Sequence, residues 1–142
     1  MALVSLFITS APVQLVVFAC LVQAFHNIGF FRAVALLLRN ELGIEYIDIY
    51  SEILAFSLEN PESACGSVAN LVRNFAEGMS KGENPWAVAC DSLGDICWQF
   101  DEIYFLKSLE KADEIFDELE SFILNRYGES RKLRAVFDII LP

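Results

Sequence analysis

The residues with chemical potential are one histidine, His26, four cysteines, Cys20, Cys65, Cys90 and Cys97, and a dense run of carboxylates late in the chain. Asp101, Glu102, Glu110, Asp113, Glu114, Asp117, Glu118 and Glu120 stand at spacings that could face a di-iron centre from a helix. Such a centre also uses Glu-x-x-His motifs, and the single histidine lies far upstream. The carboxylates therefore read as the solvated face of a helix, with Lys107 and Lys111 placed three residues before Glu110 and Glu114 as surface partners. No Cys-x-x-Cys pair occurs, and His26 completes no zinc set with the cysteines at any usual spacing. Cys90 and Cys97, seven apart, would share a helix face as small apolar residues, so all four thiols are expected free and buried, as suits a reducing cytosol. A lone histidine in an apolar stretch is read as a core or boundary residue rather than a general base. A glycine-rich phosphate loop and a Gly-x-Ser-x-Gly elbow are both missing from the sequence. The expectation is a protein that is no enzyme and uses no metal or cofactor.

The elements that would carry these residues follow from composition and periodicity. With 142 residues, 55% of them hydrophobic and 21% charged, the chain suffices for one domain over residues 1–142 with its own core. A net charge of -10 would repel phosphate backbones, which excludes nucleic acid as a partner. Residues 2–25, "ALVSLFITSAPVQLVVFACLVQAF", contain no charge. That length would accommodate a membrane span, but a basic leader is missing and Thr9, Ser10, Pro12, Gln14 and Gln23 interrupt the run. Ser10 with Pro12 reads as a helix start, giving a buried or interface helix, with a membrane-attached or secreted helical protein as the alternative.

Downstream, "FFRAVALLLRNELGIEYIDIY" is helical to about Asn40, with Gly43 as an end or kink and a second helix through "YIDIYSEILAFSL". "ENPESACGS" punctuates, after which Val68, Leu71, Val72 and Phe75 mark a helix face that stops at Gly78. "WAVACDSLGDICWQF" is apolar almost all round, as the central helix of a bundle would be. Ile103, Leu106, Leu109, Ala112, Phe116, Leu119 and Phe122 form the stripe of the next helix. With no alternating strand pattern, the expected fold is all-α, six to eight helices around a central hydrophobic helix.

The order of these pieces carries a resemblance. "LESFILNRYGESRKLRAVF" resembles the second homology motif of the Bcl-2 family, a helix ending in Asn-Gly-Gly before a short helix with a phenylalanine. Leu119, Glu120, Phe122, Ile123, Asn125, Gly128 and Phe137 take those places. "LVRNFAEGMSKGENPWAVACDSLGDIC" resembles the first motif. Phe75 and Gly78 match its Leu-Phe-Arg-Asp-Gly stretch, while Asn84, Trp86, Ala89, Ser92, Gly94 and Cys97 follow as Asn-Trp-Gly-Arg and the first helix of the central hairpin would. "AVALLLRNELGIEY" is similar to a degenerate third motif, with Leu38, Gly43 and Glu45 one residue out of register. The small size and degenerate motifs look like the diverged homologues of large DNA viruses.

The resemblance implies a Bcl-2-like bundle that captures the amphipathic homology-3 helix of a pro-apoptotic partner, Bim first, in a groove. Its implied lining is Tyr46, Ile49, Tyr50, Ile53, Leu54, Leu71, Val72, Arg73, Phe75, Trp86, Val88 and Phe137. The family's groove arginine has no counterpart, since Ala87 or Trp86 stands in its place. This implies a narrow partner range, or a substitute charge on Arg73 or Lys81. By the same analogy the protein is anti-apoptotic and cytoplasmic in a host cell, reaching mitochondria through its partners. A C-terminal membrane anchor is not expected, and the apolar first helix suggests a homodimer. A helical scaffold without a groove remains the other reading.

Overall fold

The structure, a computed structural model, describes residues 11–83 and 87–140. The fold is all-α, with seven α-helices among these residues: α1 (Ala11–Val22), α2 (Arg32–Leu42), α3 (Tyr46–Glu59), α4 (Ala64–Ser80), α5 (Phe100–Glu110), α6 (Ala112–Tyr127) and α7 (Arg131–Ile140). Ser10, Asn84 and Trp86 lie outside the described residues, as does the rest of the charge-free run before residue 11.

Local signals account for most helix boundaries. α2 ends at Leu42, and the Gly43 N–H closes it on the Arg39 carbonyl at 2.9 Å. α3 starts at Tyr46 as expected, and α4 is capped by Ser63, whose hydroxyl accepts the Gly66 N–H at 2.9 Å. α4 runs two residues past Gly78, to Ser80. α1 continues into a π-helical turn, Gln23–Asn27, which buries Ala24 and Phe25 and carries His26.

The helix at the centre is α4, which packs against α1, α3, α5 and α6. Its small residues Ala64, Cys65, Gly66, Ala69 and Ala76 are all buried and let four neighbours approach closely. The core around it includes Val17 and Leu21 of α1, Leu38 of α2, Ile53 of α3, Ile103 and Tyr104 of α5, Leu119 of α6 and Phe137 of α7. Each large apolar side chain so buried contributes roughly 1.5 to 3 kcal/mol.

Two sequence expectations are corrected here. The segment expected as the central helix, and aligned by the resemblance with the first helix of a hairpin, is instead a two-stranded antiparallel ribbon, β1 (Ala87–Ala89) and β2 (Cys97–Gln99), over its described part. Val88 pairs with Trp98, two good strand formers. Gly94 turns the chain between them at φ 98°, ψ -176°, a backbone region essentially reserved for glycine. Apolar composition on every side suits a short ribbon as well as a buried helix, and the turn decided it. Cys90 and Cys97 therefore share no helix face: Cys90 is buried, whereas Cys97 is exposed and departs from the expected burial of all four thiols. Second, the stripe from Ile103 to Phe122 belongs to two helices, because the chain breaks at Lys111 (φ -116°, ψ 26°). The break rotates the stripe, so Leu109 is 48% exposed while Ile115 and Phe116 turn inward.

No single helix among the described residues is long and apolar enough to cross a membrane; α1 with its π turn and α2 reach that length only as a pair bent by 87°.

Candidate functional site

Among the described residues, a recess suited to hold another molecule lies between α1 and the start of α5. α1 has no charged side chain. Val13, Val17, Cys20 and Leu21 form its buried face, but a helix apolar on all sides has more apolar surface than one neighbour can cover. Leu15 is left 67% exposed, Ala19 is exposed and Val16 is half-buried. Opposite, α5 begins with a reciprocal cap: the Gln99 side chain accepts the Glu102 backbone N–H, and the Gln99 N–H donates to the Glu102 carboxylate at 2.9 Å. That cap fixes Phe100 inward, its ring 6.1 Å from Phe75, and leaves Asp101 half-buried. The result is an open depression of about 540 Å³ lined by Leu15, Val16, Ala19, Cys20, Gln23, Gln99, Phe100 and Asp101. Its surface is mostly apolar with few polar groups, the usual make-up of a binding site.

The ionisable groups nearby are quiet. Burial, then the charge of Asp101, pushes the Cys20 thiol up to about 12, which keeps it protonated and unreactive. Burial and a hydrogen bond with Glu118 push Cys65 higher still. His26 Nδ1 lies 2.9 Å from the Tyr50 hydroxyl, and its ring packs against Tyr46 and Tyr50. Burial first, and then the Arg32 charge, holds His26 below its ordinary value. The histidine thus joins the π turn to α3, a structural task consistent with its reading as a boundary residue. Among the described residues no group of three or more His, Cys, Asp or Glu side chains could hold a metal ion.

The residues implied by the resemblance to line a groove fall mostly elsewhere. Ile49, Tyr50, Ile53 and Leu54 form the inner face of α3, Val72 lies inside α4, and Phe137 is enclosed between α7 and Phe31, rings 6.2 Å apart. All six are at most 2% exposed. Val88 of β1 is buried as well. These positions are core, brought together by packing around α4, and form no open groove. Tyr46 is half-buried under the Arg39 guanidinium, 4.9 Å from its ring centre. Leu71 is half-buried. Arg73 is too, 3.9 Å from Glu77, and its Nε is buried without a hydrogen-bond partner. Phe75 is half-buried behind the depression, stacked on the lining residue Phe100. Lys81 is exposed beyond the end of α4.

The residues that sequence reasoning did not single out are Leu15, Val16, Ala19, Gln99 and Phe100, while Asp101 was read only as one carboxylate of a solvated helix face. A signal existed for the first three, since the uncharged helix exceeds the apolar stripe that one buried face requires. No local signal connected it to Phe100, which is distant in sequence. Neither a protein-family model nor any curated protein matches the chain.

Proposed function

We propose that this protein is a non-catalytic apoptosis regulator, anti-apoptotic and acting in the cytoplasm, that captures an amphipathic homology-3 helix of a pro-apoptotic partner. The observation that carries the reading is the mostly apolar depression between α1 and α5, a recess on an all-helical scaffold. Helix-in-groove recognition needs such a recess. The motif resemblance supplies the partner class, and the turn from α6 through Gly128 into α7, with Phe137 buried, agrees with its second motif. The ribbon at 87–99 departs from its first motif. The binding surface is accordingly placed at α1 and α5 rather than among the core residues of α3 and α4.

A partner helix seating two or three apolar side chains there would gain roughly 1.5 to 3 kcal/mol for each, before ordering costs. Calorimetric titration of the purified chain with homology-3 peptides, Bim first, tests the proposal in three proteins: wild type, Leu15→Glu and Phe75→Glu. Binding is expected to wild type and to be lost in Leu15→Glu, whose exposed position leaves folding intact. A folded chain that binds none of the peptides would sink the reading, and binding that ignores Leu15→Glu would move the site elsewhere.

A further inference from the structure

We propose that the α1–α5 depression selects helices whose apolar stripe is flanked by lysine or arginine, and that Asp101 makes the selection. This rests on the helix-capturing reading of the same depression and adds the charge of its partner. Of the eight side chains that line the recess, five are apolar or small, Leu15, Val16, Ala19, Cys20 and Phe100, two are neutral amides, Gln23 and Gln99, and one is charged. α1 contributes no field of its own, having no charged residue. Asp101 therefore sets the sign of the potential in the recess.

Asp101 sits in the first turn of α5, at the helix end whose dipole is complementary to negative charge. It belongs to none of the ion pairs formed among the described residues. Its field reaches the wall of the recess, where it helps keep the Cys20 thiol neutral. The cation of α5 itself, Lys107, is engaged with Glu110 at 3.0 Å and with the Ser92 hydroxyl. A half-buried carboxylate without a cation, beside uncharged walls, is complementary to a basic side chain at the edge of an incoming apolar stripe. A helix bearing aspartate or glutamate at that edge would set carboxylate against carboxylate, and the chain's net charge of -10 would slow its approach.

The test uses the full chain and three amphipathic peptides that share one apolar stripe and carry Lys, Gln or Glu along both its edges. Affinities are measured at low and high salt for wild type, Asp101→Asn, Asp101→Lys and Leu15→Glu, with melting curves to verify folding. For wild type at low salt the Lys peptide is expected to bind about threefold to fivefold more tightly than the Gln peptide, and the Glu peptide about as much more weakly. The order should flatten in Asp101→Asn, reverse in Asp101→Lys and shrink with salt. The net charge alone would favour Lys over Glu in every variant, so the Asp101 substitutions decide. An order unaffected by them, with all three peptides still lost in Leu15→Glu, overturns the selection and leaves helix capture standing. No binding by any peptide to the folded chain overturns both. Self-association that Leu15→Glu abolishes and the Lys peptide cannot displace would make a second copy the occupant and overturn the proposal.

Discussion

The seam between α4 and α6 and the recess between α1 and α5 are built from opposite materials. At the first, the backbone N–H groups that open α4, from Ala64 to Ser67, all have acceptors. Glu118 of α6 accepts the N–H groups of Ala64 at 2.7 Å and Cys65 at 2.9 Å, and Ser63 takes that of Gly66. A carboxylate at a helix N-terminus also meets the favourable end of the helix dipole. Gly66 lies so close to the preceding turn that an added Cβ would fall 1.8 Å from the Asn60 carbonyl oxygen. Alongside, Glu52 of α3 accepts from Arg126 at 3.1 Å and from the Tyr127 hydroxyl at 2.7 Å. The second region has one cap at its edge, a single lining carboxylate in Asp101, and otherwise apolar or neutral, loosely covered surface. The contrast separates surface spent on folding from surface left over for binding.

Four measurements would sharpen or break that contrast. The largest effect is expected from Gly66→Ala, because the obstructing atom is backbone and cannot rotate away. Urea denaturation should show a loss of more than about 3 kcal/mol, or no folded protein at all. Glu118→Ala comes next, leaving two N–H groups of buried residues without an acceptor, at a cost of about 2 kcal/mol. An effect below about 0.5 kcal/mol would make Glu118 one more solvated carboxylate.

The joint at His26 should give a smaller, pH-dependent effect. Its ring is surrounded by Tyr46 and Tyr50 of α3 and by Arg32 of α2, with the Arg39–Glu45 pair beside Tyr46. Because its folded value is lowered, the unfolded chain takes up the proton first as pH falls through 6.5. The contribution is therefore complete above that pH and is lost as pH drops toward the folded value. Between about pH 7.5 and 5.5, wild type should lose more stability than His26→Asn does, and the imidazole should titrate below 6.5 by NMR. Equal slopes for the two proteins would remove the joint from the account. Least of all should Leu15→Glu affect folding: its melting should shift by less than about 0.5 kcal/mol of stability. A larger loss would mean that the recess is part of the core after all.

Much of this architecture was legible beforehand. The periodic stretches became α2, α3 and α4 near their expected limits, and the Gly43 stop and the helix–Gly128–helix ending were visible as patterns. The charge-free first helix was read as buried or at an interface, and the structure buries one face of it while leaving Leu15 exposed. The ribbon at 87–99 was not legible, because a segment apolar on every side shows no period and Gly94 in its middle carried the only contrary signal. Glu118 was hidden by its neighbours, as one carboxylate among the eight of an acidic run. The implied groove residues of α3 and α4 were taken for lining because a groove and a core demand the same apolar side chains.

The sequence by itself determined the class of fold, the rough limits of α2, α3 and α4 and the absence of charge from α1. These depend on hydrogen bonds and side-chain periods that close within a few residues. The tertiary structure decided which helix became the centre, which carboxylate became a cap and which apolar face stayed open. Centrality depends on how closely neighbours can approach, and the small residues of α4 allowed four. The Glu118 cap joins residues 54 and 53 positions apart. The open face of α1 is what remained after the core had taken the apolar surface it could cover, a difference between totals that no local pattern records.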